Sequence, residues 1–363
     1  MAAIPKTGIH PSIDMTKKKK FETIAIHTGN APDETTGSIS PSIHLTSTYA
    51  QDGIGKNKGY DYSRGGNPTR SRLEANIAAL EGGNDAIAFS SGMAATTALF
   101  QRLKKGDHII ISRNVYGGTY RMATRVLSNH GLDFDFVDTT DLDNIKRKIN
   151  DKTRWVFIET PTNPMLEITD IQAVAELCRE FSIKLAVDNT FMSTYGQRPL
   201  ENGADCVMHS TTKFICGHSD VLGGILVVKD KSLAESLHFI QKSGGAIPSP
   251  FDSWILLRSV KTMSMRVQRA SENAMALAKF FDCQPSITKT IYPGLSSHPQ
   301  HVIAKKQQIN PHGVILYGSM ISIVFDTKQN LDQFLSRIKL FTLAESLGGV
   351  ESLMSVPIFY DTC

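Results

Sequence analysis

The chain has 363 residues, 41% hydrophobic and 20% charged, the profile of a soluble globular protein with room for two domains. Its formal charge of +4 is matched by the run Lys17 to Lys20, so the remainder is near neutral and offers no electrostatic footprint for nucleic acid. No apolar run approaches the ~18 residues of a membrane span, and the N-terminus lacks both the apolar core of a secretion signal and any arginine before Arg64. Five scattered cysteines (Cys178, Cys206, Cys216, Cys283, Cys363) form no CxxC pair. That usage argues for reduced thiols in a cytoplasmic setting and against a thiolate metal site.

Residues 1–60 are rich in Thr, Ser, Gly and Pro and read as an extended N-terminal arm. From Pro68, "PTRSRLEANIAALEGG" spaces Leu73, Ile77 and Leu80 as a helix face and stops at a glycine pair. Strands and helices then alternate. The strands are "DAIAFSS", "DHIIISR", "DFDFVD", "RWVFIET", "KLAVDNT", "DCVMHS" and "GGILVVK". The helices between them are "GMAATTALFQRL", "GTYRMATRVLSNH", "LDNIKRKI" and "DIQAVAELCREF". This rhythm predicts a mostly parallel sheet flanked by helices over residues 61–250, with ligands bound at the carboxyl ends of the strands. After about residue 250 one long amphipathic helix over 253–281 is expected, then a strand in "GSMISIVFD" and a helix near "LDQFLSRI". Residues 251–363 therefore read as a smaller α+β domain.

Parallel strands would gather Ser90 to Met93, Asn114 to Tyr116, Glu159 to Asn163, Asp188 to Thr190 and Ser210 to Lys213 along one edge. "SSGMAAT" joins a strand to a helix start, where free N–H groups and the helix dipole favour an anion. Taken alone, that stretch reads first as a simple N-cap. Asp188 ends an apolar strand, where a carboxylate is more often a turn residue unless a cation faces it. Lys213, taken alone, reads as a loop lysine. Its company changes the reading, because Asp188 sits on the same edge and Ser210 and Thr212 flank it with hydroxyls. A phosphate cradle, a carboxylate for a ring nitrogen, a stacking aromatic and a reactive lysine together describe pyridoxal 5′-phosphate. No Gly-rich dinucleotide fingerprint or P-loop occurs in the chain, so a nucleotide-binding reading is poor.

The same stretches carry a family resemblance. "AIHTGN", "YDYSRGGNPTR", "FSSGMAAT", "VYGGTYR", "ETPTNP", "VDNTFMS", "HSTTKFICGHSDVLGG", "IYPGLSSHPQH" and "KLFTLAESLGGVESL" resemble the pyridoxal-phosphate enzymes of cysteine and methionine metabolism, typified by cystathionine γ-lyase and γ-synthase. The resemblance runs from about residue 22 to residue 353. It implies the aspartate-aminotransferase-type fold (fold type I) and an amino acid as the small-molecule substrate. It makes Lys213 the Schiff-base lysine, Asp188 the partner of the pyridine nitrogen and Tyr116 the residue stacked on the ring. Gly92, Met93, Ser210 and Thr212 would hold the phosphate. Tyr62 and Arg64 would reach the phosphate of a neighbouring subunit, within a homotetramer built from dimers. Asn163 would contact the cofactor oxygen or the substrate carboxylate, and Arg121 would lie near the substrate.

Glu345, in "LAESLGG", resembles the γ-acting members, whose β-lyase counterparts often carry an aromatic there. The implied reaction is γ-elimination from cystathionine, with γ-synthase chemistry as the runner-up. One departure stands out. After "ESL" the chain runs to "MSVPIFYDTC", and no arginine follows Arg337, whereas the family continues to an arginine that binds the substrate α-carboxylate. A catalytically impaired cofactor-binding or regulatory subunit is the alternative from another class.

Overall fold

The structure is a computed structural model that describes residues 20–357. Lys17 to Lys19, the start of the expected arm and Cys363 lie outside the described residues.

A short helix α1 (Phe21–His27) precedes a long segment without regular structure, which leads into α2 (Pro68–Glu81). Asn67 starts α2 for a local reason: its side-chain oxygen accepts from the Thr69 and Arg70 amides, and Pro68 fits the first turn. Gly82 ends the helix at φ 75°, a left-handed conformation in which a side chain would be strained. The chain then runs through β1 (Asp85–Phe89), α3 (Gly92–Phe100), β2 (His108–Ser112), α4 (Gly117–Arg121), β3 (Asp133–Val137), α5 (Leu142–Lys146), β4 (Thr153–Glu159), α6 (Ile171–Glu180) and β5 (Lys184–Asp188). It continues through α7 (Ser193–Gly196), β6 (Cys206–Ser210), β7 (Gly224–Val228), α8 (Lys231–Gly244), α9 (Pro250–Val260) and α10 (Met263–Asp282).

These seven strands form one sheet in the order β1-β7-β6-β5-β4-β2-β3. Pairing is parallel from β3 across to β6, whereas β7 runs antiparallel to both β6 and β1. β7 thus departs from a purely parallel reading, but β1 still runs in the same direction as β6. The carboxyl ends of the first six strands therefore share one edge, and the amino end of β7 joins them there. Apolar residues alternate between the two faces. Ile109, Ile111, Trp155, Phe157 and Met208 pack with Leu99 of α3 and Leu237 of α8. Ile110, Val156, Ile158 and Val187 pack with Ile171 and Val174 of α6. Val207, Ile225 and Val227 pack with Leu73 and Ile77 of α2 and Leu256 of α9. Each such side chain contributes about 1.5–3 kcal/mol by leaving water, so the sheet is the rigid platform of the molecule.

Three expectations change. The helix expected over 253–281 is two helices, broken at Lys261 and Thr262. The break has a cause, since the Arg266 guanidinium folds back to donate to the Ser259 carbonyl at 3.0 Å and the Thr262 hydroxyl at 3.2 Å. The helix expected over 118–130 is the single turn α4 followed by a π-helical turn (Met122–Val126) and a 3-10 turn (Leu127–His130). The Thr124, Ser128 and Asn129 side chains each donate to a carbonyl four residues back, which favours such irregular turns. Beyond α10, β8 (Ile287–Ile291), which the sequence pattern does not announce, pairs antiparallel with β9 (Ser322–Phe325), and α11 (His301–Gln307) lies between them. Then come α12 (Lys328–Arg337) and a parallel pair, β10 (Thr342–Leu343) with β11 (Leu353–Met354). No helix among the described residues is long and apolar enough to cross a membrane.

Candidate active site

The edge formed by the strand ends carries the residues expected of the site, and each is placed by the element before it. At the end of β1, the Ser91 hydroxyl accepts from the Ala94 amide at 3.1 Å and caps α3, so the N-cap reading holds. The cap leaves the Gly92 and Met93 amides without a hydrogen-bond acceptor among the described residues, at the sheet edge beside the amino end of β7. Gly92 and Gly224 make that junction possible. A Cβ on Gly224 would come within 2.2 Å of the Ser91 carbonyl oxygen, and one on Gly92 within 2.9 Å of the Ser210 Cβ. Backbone, the Ser210 side chain and the start of α3 thus converge on one cradle, suited to an anion. Thr212 is tied across it, accepting from the Gly223 amide at 3.0 Å and approaching the Gly223 carbonyl at 3.3 Å. Its buried neighbour Thr211 has a hydroxyl without a partner among the described residues. Met93 follows in α3, with its sulfur 3.9 Å from the Thr119 hydroxyl.

Asp188 ends β5 and is buried, only 7% exposed. Thr190 donates to its Oδ1 twice, from the amide at 3.0 Å and the hydroxyl at 2.5 Å. The same Thr190 oxygen accepts from the Ser210 amide at 2.9 Å, so one threonine links the carboxylate to the anion cradle. No hydrogen bond to Oδ2 is present among the described residues. Burial raises the Asp188 pKa, and the Thr190 hydrogen bonds oppose that rise. A protonated ring nitrogen is the kind of partner that would hold the carboxylate ionised. Thr190, which the sequence placed on this edge without assigning it a role, is a site residue, and the Asx-turn pattern Asp-x-Thr accounts for its bonds to Asp188.

Tyr116 stands at the start of α4 with half of its surface exposed. Its ring lies over Gly118, where a Cβ would come within 2.5 Å of the Tyr116 Cε1. Arg121 closes α4 and is half-buried. Asn163 is exposed in the loop after β4, and its amide donates to Glu159 Oε1 at 3.2 Å.

Lys213 lies in the turn after β6, half-buried. Burial pulls its pKa down, and the nearby Glu345 carboxylate pushes it up. Its Nζ donates to the Ser346 hydroxyl at 3.0 Å. The segment that brings Glu345 and Ser346 here is pinned twice just after them. Val350 donates to the Gly217 carbonyl at 3.0 Å, and Ser219 donates to Glu351 at 2.9 Å. Arg266 also donates to the Phe214 and Ile215 carbonyls, so the corner between α9 and α10 braces the turn that carries Lys213.

Two expected residues lie on the exposed stretch before α2. Arg64 sits over the Tyr62 ring at 5.7 Å and donates to the Lys242 carbonyl near the end of α8. Among the described residues no cluster of His, Cys, Asp or Glu could hold a metal ion.

The residues present fit pyridoxal 5′-phosphate: a cradle kept open for a dianion by Gly92 and Gly224, a buried carboxylate with an open oxygen, an exposed tyrosine ring and an amine with a lowered pKa. Comparison with known proteins points the same way. Residues 22–362 match the family model described as Cys/Met metabolism PLP-dependent enzyme. A cystathionine gamma-lyase of Bacillus subtilis is 46% identical over 338 residues, covering 93% of this chain and 88% of that protein. A cystathionine gamma-synthase of Mycobacterium leprae is 47% identical over 338 residues (92% and 86%). A cystathionine beta-lyase of Lactococcus lactis subsp. cremoris is 44% identical over 337 residues (93% and 87%). The crystal structure of metB from Corynebacterium glutamicum superposes with a TM-score of 0.91 at 46% identity, over 94% of this chain and 88% of that one. The sheet, the strand-end edge and these matches make one conclusion: the chain is a fold-type-I, pyridoxal-phosphate-dependent enzyme that belongs to the Cys/Met metabolism family.

Proposed function

We propose that this enzyme is a cystathionine γ-lyase, converting L-cystathionine and water to L-cysteine, 2-oxobutyrate and ammonia. The observation that supports this reading is the position of Glu345, whose carboxylate acts on Lys213 from the segment closing over the turn. Pyridoxal phosphate, when bound, supplies the electron sink for carbanion chemistry. The rest falls to the chain. Lys213 would hold the cofactor covalently, and its amine would move protons from the substrate Cα and then Cβ. Its lowered pKa favours the neutral amine that such a base requires. Asp188 keeps the ring nitrogen protonated. Tyr116 would stack on the ring and either give a proton to the departing thiolate sulfur or activate the substrate amine. Gly92, Met93, Ser210 and Thr212 bind the phosphate, joined by Tyr62 and Arg64 of a neighbouring subunit in a cytoplasmic homotetramer. Asn163, Arg121 and Glu345 face the substrate.

A γ-synthase reading shares every one of these parts, and a γ-synthase stands among the relatives at similar identity. The deciding experiment assays the purified enzyme with cystathionine alone and with an O-acylhomoserine plus cysteine. Release of 2-oxobutyrate from cystathionine as the faster reaction is expected. Faster formation of cystathionine from the acylated substrate would replace the lyase reading with the synthase one.

A further inference from the structure

Glu159 ends β4, in register with Asp188 on β5, and is 5% exposed. Its own amide donates to the Ser112 hydroxyl at 3.2 Å. Its two carboxyl oxygens go to different loops: Oε2 accepts the Tyr116 amide at 2.8 Å, and Oε1 accepts the Asn163 amide at 3.2 Å. Tyr116 and Asn163 come from loops after different strands, and apart from this carboxyl their side chains are exposed or half-exposed. A second tie joins the same two loops farther out, where Asn114 and Arg113 donate to Glu167 at 2.9 and 2.7 Å.

We propose that Glu159 is a positioning residue for the cofactor, one carboxyl group that fixes the ring-stacking tyrosine and the Asn163 loop at a set separation. Two backbone N–H groups held by one buried side chain form a rigid bracket, because neither loop can shift without leaving a buried partner unpaired. Burial, and then the Asp188 charge beside it, raise the Glu159 pKa well above normal; the two amide donors are what oppose them. A carboxyl group kept in so costly a place at the end of β4 is accounted for by the bracket. The inference rests on the cofactor class alone and is independent of whether the enzyme is a lyase or a synthase.

The test uses the full-length enzyme with the cofactor removed, then titrated with pyridoxal phosphate while protein fluorescence and visible circular dichroism are followed. Glu159→Asp keeps the charge but withdraws both oxygens by about one bond length. Glu159→Gln keeps the reach and one acceptor. Both variants are expected to bind the cofactor more weakly than wild type, Glu159→Asp by about 10-fold or more with its visible dichroism reduced, and Glu159→Gln because its NH2 faces one of the two amides. A Glu159→Asp protein with wild-type affinity and dichroism overturns the proposal. So does a Glu159→Gln protein with wild-type affinity and dichroism, since it lacks one of the two acceptors. If either variant fails to fold, amide exchange of the wild-type apo-enzyme decides. The Tyr116 and Asn163 amides are expected to be protected, and exchange at the rate of an open peptide would reject the bracket.

Discussion

At the scale of single residues, Lys213 and Asp188 are where charge and position can be separated by substitution. Lys213→Ala removes the amine but leaves the turn, whose bracing comes from Arg266 and from main-chain bonds. The variant should fold normally and lose at least about 10³-fold in turnover. Borohydride reduction of the wild type should leave a pyridoxyl group on the peptide containing Lys213 and none on the variant. Asp188→Asn is more discriminating than alanine. An amide oxygen can still accept from Thr190, so the turn that Thr190 makes with Ser210 survives, while the negative charge is gone. Turnover should fall by about 10²-fold or more with little change in melting temperature. Unchanged kinetics would mean that Asp188 serves only as a turn residue.

At the scale of elements, the sheet was legible because its strands are short apolar runs bounded by turn residues, and because parallel pairing forces the strand ends together. The edge position of Lys213, Asp188 and Ser210 follows from that rule alone. The direction of β7 was not legible, since a buried strand reads as the same apolar run whichever way it points. The corner between α9 and α10 was hidden for a different reason. No Gly or Pro marks it, and Arg266 both folds back on Ser259 and Thr262 and reaches carbonyls in a loop some fifty residues earlier. Thr190 and Glu159 were placed on the strand-end edge by the sequence, but their roles were not legible, because these depend on which loop lies across from which. Arg266 carries a prediction of its own. Arg266→Ala leaves the Phe214, Ile215 and Ser259 carbonyls without this donor, at a half-buried site. Stability should fall by about 2–4 kcal/mol in urea unfolding. The remaining folded protein should bind the cofactor more weakly, because the turn that carries Lys213 has lost its brace. A stability loss with unchanged cofactor affinity would confine Arg266 to the helix corner.

At the scale of the whole molecule, the stretch before α2 raises the question of what completes the site. Ile39, Leu45 and Ile54 on it are 77%, 73% and 104% exposed, and Tyr62 is 48% exposed. Apolar side chains gathered on an extended segment favour burial against another surface. Arg64, at the end of that segment, carries a fork suited to a phosphate. If this segment crosses to a second copy, each site takes its lysine from one chain and its arginine from the other. Arg64→Ala alone should then lower activity by about 10²-fold. Co-expressed at equal amounts with Lys213→Ala, it should recover about a quarter of wild-type activity. Half of randomly formed symmetric dimers pair the two variants, and one of their two sites holds both an intact Lys213 and an intact Arg64. If Arg64 instead serves its own chain, neither site of the mixed dimer is whole, and the mixture stays as inactive as its parts. Light scattering over a range of concentrations supplies the companion measurement, because a fully active monomer cannot share sites between chains.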